Sequence, residues 1–301
     1  MRKWMLCVPT YNRKEPKVLE MAKKDPYLEV NLFVRQEFID SGFYNHLKGI
    51  KNVILRSLGY GVTCIGDTRQ RIINFCVRND IKYCAMFDDG ICNFVEDEPF
   101  YEYCRPTISQ TFEKVIDIME NDPLSDRMVG FGFIKRLSYY ADGHVARYND
   151  SHLIENDYFM FAPFQTAIWN IELIKKHNLR FHTLQDVGFE DCAFFADCLK
   201  AGLVFGSRKW LKVDGVVPNE TKAGGNHTLA ENIEHKYDAQ VKKCMQYIGN
   251  MYGVYIDKRY RSYAKGLLGF IVFDLNYFRE VLVYKPEQNK EIIERGFQYD
   301  V

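Results

Sequence analysis

Residues 81–93 read Ile-Lys-Tyr-Cys-Ala-Met-Phe-Asp-Asp-Gly-Ile-Cys-Asn. The apolar run Cys84 to Phe87 stops abruptly at Asp88, Asp89 and Gly90. Its length and composition are those of a buried strand. Two adjacent carboxylates repel unless a cation or hydrogen-bond donors compensate them. At the carboxyl end of a central parallel strand, that compensation is commonly a divalent metal holding a phosphate. The plainer reading is that the acids cap a following helix or open a turn. What else converges on this stretch decides between the two.

Upstream, Trp4 to Val8 is an apolar run broken by Pro9, Thr10, Tyr11, Asn12 and Arg13. Proline cannot continue a central ladder, and asparagine favours a turn. A strand that runs at once into a polar loop is how nucleotide-binding α/β sheets open. Pro16 to Lys24 reads as a short helix, Glu29 to Val34 as a strand ending at Arg35, and Asn52 to Leu55 as a strand ending at Arg56. Asp67 or Thr68 then caps a helix whose apolar face includes Ile72, Ile73, Cys76 and Val77. Arg69 falls in its first turn, where a cation opposes the helix dipole. It is either a surface arginine or a bidentate partner for a diphosphate. Strands alternating with helices predict a mostly parallel sheet.

Downstream, Ile108, Phe112, Val115, Ile116 and Met119 recur at helical spacing, and Pro123 ends that helix. Met128 to Phe133 and Thr166 to Trp169 read as strands, with Lys135 to Asn156 a polar excursion or edge hairpin between them. Asn170 begins a short helix. Glu190 and Asp191 open another that runs to Ala201 and stops at Gly202. Acids at a helix start are explained by the dipole alone. Leu203 to Phe205 and Trp210 to Val213 are further strands. Residues 218–228 form a glycine-containing polar loop whose amides suit an anion and whose His227 suits a metal. A loop histidine is also often simply exposed. Residues 229–301 read as mainly helical, and within them Lys258, Arg259, Arg261 and Lys265 interleave with Tyr260 and Tyr263.

A chain of 301 residues can bury one large core, alone or with an appendage. Lysine plus arginine and aspartate plus glutamate both number 40, so no global charge draws the chain to nucleic acid and any polyanion site is local. The 20 tyrosines and 22 phenylalanines serve either a packed core or platforms for sugars and bases. Nine cysteines, an odd number without Cys-x-x-Cys spacing, read as reduced, buried thiols of a cytoplasmic protein. They suggest neither a disulfide framework nor a zinc knuckle. The amino terminus lacks the apolar core of a signal peptide, and no stretch has the apolar length to span a bilayer.

Taken in order, the polar punctuation resembles that of the GT-A glycosyltransferases. The loop Pro9 to Arg13, the glycine-to-arginine element Gly66 to Arg69, the acids Asp88 and Asp89, the pair Glu190-Asp191 and the loop histidine His227 each match a family element. The likeness spans residues 3–228. One departure is Gly90, which stands where the family motif has a third acid. Within the class, Asp67 to Asn74 followed by Phe87 to Asp89 resembles phage TET-associated and base-J-associated glycosyltransferases, which add sugar to hydroxymethylated DNA bases.

The resemblance implies a GT-A α/β fold with a mostly parallel, Rossmann-like central sheet over 1–228, and a helical extension over 229–301. It implies transfer of a sugar from a nucleotide donor, a UDP-sugar by expectation, to a hydroxyl. Pro9, Thr10, Tyr11 and Arg13 would hold base and ribose, with Arg35 at the rim. Arg69 and Lys222 would neutralise the diphosphate, and Asp88 would bind donor and metal. Mg²⁺ or Mn²⁺ would sit on Asp88, Asp89 and His227. Asp191 would be the general base, Glu190 would position the acceptor, and the anomeric centre would invert. Lys258, Arg259, Tyr260, Arg261, Tyr263 and Lys265 suit a DNA acceptor. Other readings of the same residues are a non-catalytic nucleotide-sugar or DNA-binding module, a transferase acting on a glycan or small molecule, and a nucleotidyltransferase. The last lacks a glycine-rich phosphate loop after the first strand.

Overall fold

Strand β1 (Trp4–Pro9) lies between β2 (Val30–Val34) and, on its other side, β4 (Tyr83–Phe87), while β3 (Val53–Ser57) extends the edge beyond β2. All these pairs are parallel. Parallel strands need crossovers, which contain α1 (Leu19–Lys24), α2 (Gln36–Asp40) and α3 (Ile65–Arg78). β2 and β4 are buried at every residue, as strands covered on both faces must be. The computed structural model describes residues 3–96, 107–139, 145–147, 154–155, 157–159, 166–182 and 190–216. The helical extension expected over 229–301 lies outside them.

After β4 the chain turns sharply: the Asp88 carbonyl accepts the Ile91 N–H at 3.1 Å. β5 (Ile91–Glu96) then leaves the main sheet. α4 (Ile108–Asn121) starts on a capping box, in which the Thr107 side chain accepts from Gln110 N and the Gln110 side chain accepts from Thr107 N. β6 (Met128–Gly132), β7 (Ile134–Tyr139), β8 (Val145–Arg147), β9 (Ile154–Glu155), β10 (Tyr158–Phe159) and β11 (Thr166–Asn170) follow. Asn170 caps α5 (Ile171–Lys176) by accepting Leu173 N. α6 (Glu190–Lys200) ends near Gly202, whose φ of +73° suits a residue without a side chain. β12 (Val204–Gly206) and β13 (Leu211–Val216) complete the described chain.

The large sheet runs β3-β2-β1-β4-β11-β6-β12-β10-β9. Its first half is parallel, as the alternation of elements predicts. β11 then enters antiparallel to both β4 and β6. A second sheet, β5-β13-β7-β8, was not apparent in the sequence. Its strand β13 is antiparallel to β5 and parallel to β7, and β7 and β8 form the hairpin that the polar excursion allowed for. A large central sheet flanked by helices is the α/β architecture that the sequence leads one to expect.

The two faces of the sheet bury different residues. Phe112 of α4 meets Trp4 and Phe87 edge-on, so α4 covers the face that carries those rings. Strand alternation sends Cys7 and Cys84 to the other face, where Cys76 of α3 lies against them. On β11, beside β4, Trp169 packs edge-on against Phe181, Phe194 and Phe205.

Two sequence boundaries shift. Pro9 belongs to β1, in register with Phe33, because the last residue of a strand can do without an N–H bond. α3 begins at Ile65, and its cap is Cys64, whose sulfur accepts Asp67 N. Asp67 instead accepts from Thr63 N and Arg71 Nε. Arg69 therefore sits a turn deeper in the helix than the sequence suggested, away from the positive end of the dipole.

Candidate active site

The carboxyl ends of β1 and β4 lie side by side, and the loops that leave them meet. Val18 N donates to the Asp89 carbonyl at 3.2 Å, which ties the loop after β1 to the turn after β4. Thr10 is buried and its N–H continues the ladder to Phe33 O at 3.0 Å. Asn12, at φ +52°, turns the backbone through the left-handed region, which asparagine tolerates better than most residues. Beyond that turn Arg13 reaches across, its Nη1 lying 2.8 Å from Asp89 Oδ1. The contact is close as an ion pair but poorly aligned as a hydrogen bond.

On the solvent side of this loop the Arg35 guanidinium lies 4.2 Å from the centre of the Tyr11 ring. Tyr11 also meets Phe38 edge-on and stays partly exposed. A stacked cation and ring beside the strand ends suit a flat heterocycle. The neighbouring loop 58–61 is held in place by Arg71, which donates to the carbonyls of Leu58 and Tyr60.

Arg69 is the centre of the site. It is 8% exposed, so it is not a surface arginine. Its Nη1 donates to Glu190 Oε1 at 2.6 Å, and its Nη2 donates to Asp88 Oδ1 at 3.3 Å. Asp191 Oδ2 lies 3.8 Å from Nη1. One guanidinium thus joins the end of β4 to the start of α6. Burial works against its charge, and Glu190, Asp88 and Asp191 outweigh that, so its pKa rises. Gly66 lets α6 come close. A Cβ there would overlap the His182 carbonyl oxygen and would lie 3.3 Å from Glu190 Cβ.

The acids respond unequally. Burial pushes Asp89 up to about 7, against the pull of Arg13, and Asp88 beside it adds to the rise. Burial likewise pushes Glu190 up to about 7, with Arg69 opposing and Asp191 reinforcing. Asp88 is the most open of the four, its side chain 34% exposed.

The acid pair resolves both sequence readings of residues 88–90. It opens a turn, and no helix follows. It also faces cations, namely two arginines. That limits what it offers a metal. Asp89 is engaged by Arg13 and Asp88 by Arg69, and His227 lies outside the described residues. Among the described residues, three ligand atoms gather only at Cys7, Cys76 and Cys84. Asp88, open and sharing only part of Arg69, is the described residue that fits a divalent cation best.

Of the site residues read from sequence, Arg69, Asp88, Glu190 and Asp191 come together, as do Arg13 with Asp89 and Tyr11 with Arg35. Pro9 and Thr10 lead into the same loop. Lys222 and the segment holding Lys258, Arg259, Tyr260, Arg261, Tyr263 and Lys265 lie outside the described residues. Sequence reasoning missed the Arg13–Asp89 contact, the buried Tyr44 beside it, and the His182–Asp197 contact of 2.6 Å behind α3. No spacing rule joins residues so far apart in the chain.

No family model matches the sequence, and no curated protein is similar to it. Among solved structures the chain is similar to the crystal structure of GalNAc-T7 with UDP, GalNAc and Mn2+, at 12% identity and a TM-score of 0.49. That match covers 94% of this chain and 58% of the other, so the chain spans little more than half the length of that protein. It is also similar to A197 from STIV, at 10% identity and a TM-score of 0.37, over 72% of this chain and 87% of that one. Among the described residues, no helix is long and apolar enough to cross a membrane.

Proposed function

We propose that the chain transfers a sugar from a nucleotide donor, a UDP-sugar, to an acceptor hydroxyl. The observation that carries this reading is the Arg69 cluster, which joins Asp88 at the end of β4 to Glu190 and Asp191 at the start of α6. Donor chemistry belongs on the β4 side, beside the Pro9 to Arg13 loop and the Tyr11–Arg35 stack. Acceptor chemistry belongs on the α6 side.

In the reaction, the acceptor oxygen forms a bond to the anomeric carbon as the bond from that carbon to the diphosphate oxygen breaks. Asp191 takes the acceptor proton, and the departing diphosphate takes the electron pair. Attack opposite the leaving group inverts the anomeric centre. Glu190, fixed by Arg69, orients Asp191 and the acceptor. Arg69 spends its donors on carboxylates, so it positions acids more than it grips phosphate. Diphosphate neutralisation then falls more heavily on Lys222. A bound Mg²⁺ or Mn²⁺ would supply Lewis-acid stabilisation of the leaving diphosphate. Asp88 would hold it, with Asp89 and His227 as the further ligands. For the acceptor, the basic, tyrosine-bearing segment 258–265 supports the hydroxymethyl group of a modified DNA base.

The test is incubation with radiolabelled UDP-sugars and hydroxymethylated DNA. Label moves to the DNA with the wild type, and Asp191→Asn lowers transfer by about 10²–10⁴-fold while UDP still binds. Label released only as free sugar points to a glycan or small-molecule acceptor. Neither transfer nor hydrolysis with any UDP-sugar favours the non-catalytic module.

A further inference from the structure

Between β1, β4 and α3 lies a buried cluster that the proposed transfer does not use. Cys7 on β1, Cys84 on β4 and Cys76 on α3 place their sulfurs within 4.8 Å of one another. The Cys7 and Cys76 sulfurs are 4.0 Å apart. All three residues are fully buried. A cation bound to thiolates at about 2.3 Å in a trigonal plane holds its sulfurs about 4 Å apart, so small side-chain rotations suffice to close the trio around an ion.

We infer that Cys7, Cys76 and Cys84 form a binding site for a soft, low-coordinate cation, copper(I). Two observations select that ion. Zinc prefers a fourth ligand, and among the described residues no fourth histidine, cysteine or carboxylate joins the three. Met5 and Met86 are the register partners of Cys84 and Cys7, so strand alternation places both on the same face as the thiols. Thiolate and thioether sulfur together favour copper(I) over harder ions. Each thiol that becomes a ligand releases its proton to solvent, and no electron is transferred. None of the three reaches the surface, so the ion enters during folding or a transient opening. Once in, it ties β1, β4 and α3 together within the core that carries Pro9 and Asp88 at its strand ends.

The test uses the full chain, reduced and stripped with a chelator, then refolded without oxygen in the presence of copper(I) and a chromophoric competitor. The wild type withdraws one more equivalent of copper per chain than Cys76→Ser does, with an ultraviolet sulfur-to-copper absorption band. Cys84→Ala weakens that equivalent at least a hundredfold. Cys198→Ala, which removes a buried thiol outside the cluster, keeps it. Thermal unfolding without copper confirms that each variant is folded, and Cys76→Ser preserves volume should the alanine variant fail. If wild type takes up no more copper than Cys76→Ser, or Cys198→Ala loses as much as Cys84→Ala, the three thiols are core packing alone.

Discussion

The molecule carries two pairs of adjacent acids at its site, and they are held differently. Asp88 and Asp89 follow a strand and face different arginines, Arg69 and Arg13. Glu190 and Asp191 begin a helix and share Arg69, with Glu190 much closer than Asp191. In both pairs one acid is pushed towards neutral pH by burial and the other is the more open. The first pair can release one carboxylate to a ligand without orphaning an arginine. The second keeps Glu190 locked and leaves Asp191 the looser partner of the guanidinium. That division suits donor binding on one side and proton removal on the other.

The largest expected effect comes from removing the shared partner. Arg69→Met leaves Glu190 buried without its ion partner and should cost about 3–5 kcal/mol of stability, read by urea denaturation. Arg13→Met should cost less, because Asp89 is the less completely enclosed acid. Equal losses would mean that the two pairs are held alike.

Next in size, Gly66→Ala forces a methyl group against the His182 carbonyl and towards Glu190. It should cost about 1–3 kcal/mol and displace α6 from Arg69 while leaving the Arg13–Asp89 pair in place. Thermal unfolding measures the first effect. Turnover that falls far more than UDP affinity measures the second.

The smallest effect is a pH slope. Asp89 and Glu190 titrate near 7 when folded, above the ordinary carboxylate values of 3.8 and 4.5. Between those values the folded chain holds protons that the unfolded chain has lost, so stability falls as pH rises from about 4 to about 7. Asp89→Asn and Glu190→Gln should each remove part of that slope. Denaturation midpoints across the range that are as steep in both variants as in wild type would contradict the burial of these charges.

Much of this arrangement was legible in the sequence. The central strand Tyr83 to Phe87 and its terminal acids stood out because an unbroken apolar run ends on charge. α6 was readable from its acids and Gly202, and α4 from its helical period. What escaped was set by tertiary contact. β5 and β13 pair across more than a hundred residues, and nothing local marks them as partners. The cap of α3 is a cysteine, which no capping preference singles out, so Arg69 was read as a first-turn residue facing either solvent or a diphosphate. Its burial depends on α6 arriving over Gly66. The cysteine trio was hidden for the same reason: ligands on two strands and a helix have no spacing signature.

The division of labour between the pairs is tested most directly by calorimetric titration of UDP, with and without Mn²⁺, into wild type, Asp88→Asn and Asp191→Asn. UDP should bind wild type at one site per chain, and Mn²⁺ should strengthen it. Asp88→Asn should lose at least tenfold of the affinity measured with Mn²⁺, while Asp191→Asn binds as wild type does and fails only in transfer. A wild type that does not bind UDP, or an Asp191→Asn variant weakened as much as Asp88→Asn, would contradict the account.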